Sequence, residues 1–337
     1  MWMEGSTSGV YRMWFQHMDI NRIPFYQYNT IIVGTGAAGL NAAVTLHKLG
    51  QKNIALITEG RYMGTSRNTG SDKQTYYKMT QCGSEPDSVR KMAKTLFEGG
   101  CVDGDIAMAE AAGSLRAFYH LVDIGVPFPF NKSGEYVGYK TDHDPLKRGI
   151  SAGPLTSKYM TECLERQAEE RGIPFFDGYQ AVRLLTEEKD GDKRAAGIIA
   201  LNKQKAASPD ERYAVFSAVN IIWATGGEAG MYQASVYPVS QTGEMGVLLE
   251  AGAVAKNLTE SQFGIASVKY RWNLSGTFQQ CLPRYLSAEQ DGSHEREFLN
   301  DYFDTPRQLL TAIFLKGYQW PFDPRKVEGQ GSSLIDL

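Results

Sequence analysis

Several kinds of partner are excluded by what this chain of 337 residues lacks. No apolar run approaches the roughly 18 residues that a spanning helix needs, so no direct membrane span is expected. The four cysteines, Cys82, Cys101, Cys163 and Cys281, form no C-x-x-C pair and no zinc-ligand spacing. Reduced thiols in a cytoplasmic protein are the expectation. His17, His47, His120, His143 and His294 are too scattered to gather round a metal ion. A formal net charge of −3 supplies no excess of cations to attract nucleic acid or an anionic membrane. The opening "MWMEGSTSGVYRMWFQHMD" has no basic n-region, no long apolar stretch and no small-residue cleavage site, unlike a signal peptide. Residues 1–27 show no helical or strand period and are expected to form a disordered leader, with Met18 an alternative start.

The remaining composition, 42% hydrophobic and 22% charged, suits a soluble globular protein. The length exceeds that at which single cores tend to split, so two domains are expected. "TIIVG" at 30–34 reads as a buried strand, residues 37–49 as a helix with small and apolar contacts, and "NIALIT" at 53–58 as a second strand. This βαβ opening predicts parallel strands joined by a crossover. Gly34, Gly36 and Gly39 fit G-x-G-x-x-G between the first strand and the helix. The first glycine permits the tight turn, the second lets the backbone approach a pyrophosphate, and the third lets helix and sheet pack closely. The helix N-terminus presents free N–H groups and a partial positive charge to phosphates. Glu59 ends the next strand, 20 residues after Gly39, where a carboxylate accepts hydrogen bonds from an adenosine ribose. The ligand expected is a dinucleotide. The motif alone does not separate NAD from FAD.

Residues 60–81 are rich in Gly, Ser, Thr, Asn and Tyr and read as an active-site loop. Helical segments are expected over 86–125 and 153–172, and short strands at "QAVRLLT", "AAGIIALN", "RYAVFS" and "VNIIWAT", as a meander inserted into a parallel fold. From about Lys256 the pattern loosens. "YKTDHDPLKRGISAGPL" at 139–155 gathers Asp142, His143, Asp144, Lys147 and Arg148 before a helix start. Arg148 and the helix N-terminus offer an anion site, and His143 an acid or base. A solvated charged loop is the other reading. Arg284, among apolar residues in "CLPRYL", is either a buried anion clamp or a surface arginine.

In "NIIWATGG" at 220–227 a hydrophobic strand runs into Ala224, Thr225, Gly226 and Gly227, which permits a close approach by a ligand or another chain segment. Taken with "VGTGAAGLNAA" and Glu59, "GTSRNTGSDKQ", "GVPF" and "EAGAVAKNLTESQFG", this resembles the fumarate reductase/succinate dehydrogenase flavoprotein family of FAD-dependent oxidoreductases over roughly residues 28–305. The resemblance implies an α/β architecture: a Rossmann-like FAD-binding domain at 28–255 with an inserted β-meander, then the start of an α+β capping domain at 256–337. It implies FAD as cofactor, a small-molecule substrate and an electron-transfer partner. By the same resemblance Gly34, Gly36, Ala38 and Gly39 form the diphosphate loop, and Glu59 holds the adenosine ribose. Gly64, Thr65, Ser66 and Asn68 pass the flavin, Ala181 and Val182 contact adenine through their backbone, and Thr225 and Gly226 make a second FAD contact.

The departures are as informative. Asn68 stands where family members with covalently attached flavin carry histidine, so FAD is expected to be non-covalent. Gly264 in "QFGIA" replaces the substrate-binding histidine, and the acidic turn becomes "QTGEMG", in a register that does not clearly place Glu244. Members of the family are longer, so the chain is expected to be truncated at its C-terminus, inside the capping domain. The expected activity is hydride transfer between FAD and a small anionic organic substrate, by this chain or the enzyme of which it is the N-terminal portion. A non-catalytic truncated dinucleotide-binding module and an NAD(P)-dependent dehydrogenase are the alternatives.

Overall fold

The computed structural model describes residues 23–314, apart from 71–73, 99–101, 142, 143, 145, 228, 229, 231–236, 238–240, 257–265, 268–271 and 274–280. Residues 1–22, most of the expected leader, lie outside the described residues. In chain order the elements begin with β1 (Phe25–Val33), α1 (Ala37–Lys48), β2 (Ile54–Thr58), the single turn α2 (Thr65–Asn68) and β3 (Tyr76–Tyr77). There follow α3 (Val89–Glu98), α4 (Gly104–Asp123), β4 (Gly149–Ile150), α5 (Thr156–Glu170) and β5 (Phe175–Asp177). Then come β6 (Tyr179–Lys189), β7 (Asp192–Asn202), β8 (Tyr213–Trp223), α6 (Met245–Glu250), β9 (Ala266–Ser267), β10 (Trp272–Asn273) and α7 (Pro306–Phe314).

One six-stranded sheet organises the chain, in the order β5-β2-β1-β8-β7-β6. The β5-β2-β1-β8 half is parallel and the β8-β7-β6 half antiparallel. This is the α/β arrangement with an attached meander that the sequence suggests. Two details differ. β1 begins at Phe25, inside the segment assigned to the leader, because it pairs with β8 from Phe25↔Val215 to Val33↔Trp223. The neighbouring strand, not local propensity, sets its start. The two strands expected over 212–225 are one, β8, which pairs with β7 early and with β1 along its length.

Alternation divides the core. Ile32, Ile54 and Leu56 face α1, α4 and α5, where Leu40, Val44, Phe118 and Leu164 are buried. Ile31, Val33 and Ile57 face the other way and pack with Ala181, Ile198, Ala200 and Phe216 from β6, β7 and β8. The central strands are therefore apolar on both faces, as parallel strands covered on both sides must be. Each fully buried Ile or Leu contributes about 1.5–3 kcal/mol. Tyr26 stacks on Phe216 with centroids 4.9 Å apart, and Phe176 meets Phe216 edge-on at 4.8 Å. The meander thus folds against the parallel strands and brings the start of β6 close to the ends of β1 and β2.

α4 starts where its chemistry allows: the Asp103 carboxylate accepts the N–H groups of Asp105 and Ile106, both at 3.1 Å. Among the described residues no helix is long and apolar enough to cross a membrane, and no cluster of His, Cys, Asp or Glu could hold a metal ion. Cys82, Cys163 and Cys281 are free thiols.

Candidate cofactor site

A cleft of about 320 Å³ opens where β1, β2 and β8 end. Its wall is built from Gly34, Gly36 and Ala38, from Glu59, Gly64, Thr65 and Ser66, from Gln180 and Ala181, from Thr225 and Gly226, and from Gln241 and Glu244. Backbone bonds at the strand ends hold it together. The Gly34 N–H donates to Ile57 O at 2.8 Å, and the Ala224 N–H to Val33 O at 2.7 Å. The two glycine segments, 190 residues apart in sequence (34 and 224), are therefore side by side. The Thr35 hydroxyl donates to Thr58 Oγ1 at 3.1 Å and ties the first two strand ends together.

The three motif glycines have different reasons for being glycine. Gly34 has φ +106°, and a Cβ there would stand 2.3 Å from Ala224 O. A Cβ on Gly39 would stand 2.1 Å from Gly34 O. Both are required by the packing of the chain against itself. A Cβ on Gly36 would meet nothing nearer than Ser66 Oγ at 3.4 Å, an ordinary contact, and its φ of −75° suits any residue. Among the described residues nothing demands glycine there; what it leaves open is the cleft.

Donors converge on that opening. The N-cap residue of α1 has no side chain to cap it and its first turn holds no acidic residue, so its positive end carries no counter-charge from the helix itself. The Ala37 N–H reaches Ser66 Oγ at 3.3 Å. Thr65 Oγ1 is buried and has no hydrogen-bond partner among the described residues. A bare Cα, an uncapped helix N-terminus and an orphaned hydroxyl together fit the paired phosphates of FAD.

The other expected contacts are placed as follows. Glu59 lines the cleft and pairs with Lys203 Nζ at 2.6 Å. Ala181 lines it, whereas the Val182 side chain packs with Leu185 and Ile199. Thr225 Oγ1 donates to Gly243 O at 2.6 Å. Asn68 is not on the cleft wall: its Nδ2 donates to Tyr62 O at 2.6 Å and Gly64 O at 3.0 Å and closes the loop on itself.

Two wall residues, Glu244 and Gln180, and Lys203 behind Glu59, are among those not singled out from the sequence as cofactor contacts. Glu244 heads α6 with φ +49°, and accepts a bond from Gln180 Nε2 at 3.2 Å. Burial pushes the Glu244 carboxyl up, the Gln180 bond opposes this, and the nearby Glu59 adds to the rise. Lys203 comes from "KQKAASPDE", which reads in sequence as a polar turn. Its signal exists only in the register of β6 with β7, which puts Tyr179 opposite Asn202.

The catalytic expectations need correction. Arg148 is 1% exposed and does not line this cleft. Its Nε and Nη2 donate to Asp87 at 2.9 and 2.7 Å, and its Nη1 to Tyr77 Oη at 3.2 Å, Thr95 Oγ1 at 2.9 Å and Asp144 Oδ1 at 3.3 Å. Asp87 and Asp144 meet its charge inside the fold, because a buried guanidinium must be neutralised there. Burial opposes its charge, yet the bonds to Asp87 and Tyr77 hold its pKa above the ordinary value. Burial likewise pushes Asp87 up, but the Arg148 bond, with the Thr80 and Ser88 N–H groups, brings it below the usual carboxylate range. Arg284 is not a buried clamp either: its side chain is 72% exposed and pairs with Glu297. His143 lies outside the described residues.

Comparisons with known proteins agree with this geometry. Residues 29–283 match the FAD binding domain family. The L-aspartate oxidase of Agrobacterium fabrum is 28% identical over 242 residues, covering 69% of this chain and 42% of that protein. The succinate dehydrogenase flavoprotein subunit of Coxiella burnetii is 24% identical over 247 residues, covering 70% of this chain and 40% of that one. The chain thus spans less than half the length of these relatives. A solved E. coli quinol fumarate reductase chain superposes with a TM-score of 0.66 at 20% identity, over 93% of this chain and 52% of that one, a likeness of fold.

Proposed function

The chain belongs to the FAD binding domain family, and from that premise we propose that it is the cofactor-holding portion of an FAD-dependent oxidoreductase acting on a small anionic organic substrate. Bound FAD supplies the hydride chemistry; the protein binds, orients and encloses it. The N–H groups that open α1, with Gly36 bare beside them, would hold the diphosphate. Glu59 would accept bonds from the adenosine ribose, with Lys203 fixing its carboxylate. The backbone of Ala181 and Val182 would border adenine. Gly64, Thr65, Ser66, Thr225 and Gly226 would line the path toward the flavin ring. Asn68 has an amide, with no nucleophilic ring nitrogen to bond to the flavin, and its donors are engaged by the backbone of its own loop. The cofactor is therefore non-covalent.

The observation that carries this reading is Gly36, a glycine that the protein's own packing does not require and whose missing side chain leaves room on the cleft wall. An anionic substrate is supported by the acids in the names of the relatives, aspartate and fumarate. On the same reading residues 28–255 are the FAD domain and 256–337 the beginning of a capping domain. The complete protein works in the cytoplasm with an electron-transfer partner.

The direct experiment is to add FAD to the purified chain, remove the excess and precipitate with acid. A yellow protein that releases all its flavin to the supernatant is expected. Colour retained in the pellet would refute non-covalent attachment. Uptake of NADH with no uptake of FAD would replace the flavoprotein reading with that of a nicotinamide-dependent dehydrogenase.

A further inference from the structure

The loop that covers Gly36 cannot hold its place by itself. α2 is one turn of four residues, far too short to be stable alone. Yet Thr65 and Ser66 stand on it, and the Ser66 hydroxyl lies on the Ala37 N–H. The anchors are two arginines that bracket the cleft-lining residues Met63, Gly64, Thr65 and Ser66, and they meet at one carboxylate. Arg61 Nε donates to Glu165 Oε1 and Arg67 Nη2 to Glu165 Oε2. Glu165 is 8% exposed, on the inward side of α5. Arg61 also reaches Glu169, lies 4.0 Å over the Phe175 ring, and its N–H donates to Asp177 Oδ1 at 2.9 Å. Arg67 also reaches Glu162 at 3.4 Å and sits 5.1 Å from the Tyr62 ring centroid. None of Arg61, Arg67 and Glu165 lines the cleft.

We propose that Glu165 is a positioning residue for the cofactor: by gripping both Arg61 and Arg67 it fixes Thr65 and Ser66 over the bare Gly36 and so sets the affinity for FAD. This rests on the cleft being the FAD site. A carboxylate with each oxygen on a different arginine locks both ends of the segment at once. Neutralising it leaves two half-buried cations facing each other with only the more exposed Glu169 and Glu162 as partners, and the turn between them loses its fixed position.

The test is a double-mutant cycle on the full chain, with FAD affinity read from flavin fluorescence and folding read from thermal melts. Glu165→Gln is expected to weaken FAD binding about tenfold. Ser66→Ala should weaken it as well. In a Thr65→Val/Ser66→Ala background Glu165→Gln should add less than about twofold, because both groups it positions are gone. Arg67→Met, which leaves the Arg61–Glu165 pair in place, runs the same cycle should Glu165→Gln not fold. Losses that simply add, or affinity unchanged in a folded variant while the wild type takes up FAD, would overturn the proposal. Failure of the wild type to take up FAD would instead overturn the cofactor reading beneath it.

Discussion

The glycine turn at 34–39 and the charged segment at 139–155 both look chemically capable in the sequence, and the structure treats them in opposite ways. The turn ends with open capacity: a helix N-terminus with no side-chain bond from its N-cap residue and, among the described residues, a Thr65 hydroxyl without a hydrogen-bond partner and a Gly36 that no contact demands. The arginine of the charged segment is taken up by the interior. Arg148 meets Asp87, Tyr77, Thr95 and Asp144 within the interior, and the Tyr77 hydroxyl donates to Asp144. Residue types capable of chemistry are common. Unmet hydrogen-bonding capacity facing a cavity is rare in a folded chain, and it is the better mark of a site.

If this contrast is right, the two regions fail differently. The largest effect should come from Arg148→Leu, which leaves Asp87 and Asp144 buried without their cation. A loss of about 3–5 kcal/mol in urea unfolding is expected, and a loss under about 1 kcal/mol would mean that the network is wetter than described. Next come the motif glycines. Gly34→Ala and Gly39→Ala should cost about 1–3 kcal/mol each, from a strained φ in the first and a backbone clash in both. Gly36→Ala should stay within about 0.5 kcal/mol. Equal losses at all three positions would erase the distinction on which the cofactor site rests.

Acid sharpens the comparison further. The folded pKa of Asp87 is below its ordinary 3.8. The stability it contributes is therefore complete above that value and is lost as pH falls through the lower, folded one. Wild-type stability should drop in this acid range, and Asp87→Asn should remove that part of the drop. Glu244 has the opposite sign. Its folded pKa is raised above 4.5, so its contribution is present at low pH and disappears as pH rises through the folded value. Glu244→Gln should then gain relative to wild type at neutral pH, as measured by the melting temperature. The smallest effect belongs to Arg284→Ala. Its solvent-exposed pair should be worth no more than about 0.5 kcal/mol, and FAD binding should not change.

Where the geometry of the cleft depends on contiguous chain, it could be read directly. Gly34, Gly36 and Gly39 sit on one strand–turn–helix, and Glu59 at the next strand end, so their spacing fixes their geometry. The Ala224–Gly226 segment was legible only through the family resemblance, because a strand running into glycines admits another chain segment as readily as a ligand. Contacts that depend on register were not legible. Lys203 meets Glu59 across 144 residues, Gln180 meets Glu244 across 64, and Arg148 meets Asp87 across 61. The fate of Arg148 was misjudged for that reason: nothing near "KRG" reveals that an aspartate from before α3 will neutralise it.

The central claim is that the opening left by Gly36 holds the diphosphate of FAD. Equilibrium titration of FAD into the wild type and into Gly36→Val, followed by flavin fluorescence with melting curves alongside, tests it most directly. The wild type should bind saturably, and the variant should fold with the same stability and fail to bind. Equal affinity in the two proteins, or a variant that loses FAD only because it unfolds, would contradict the account.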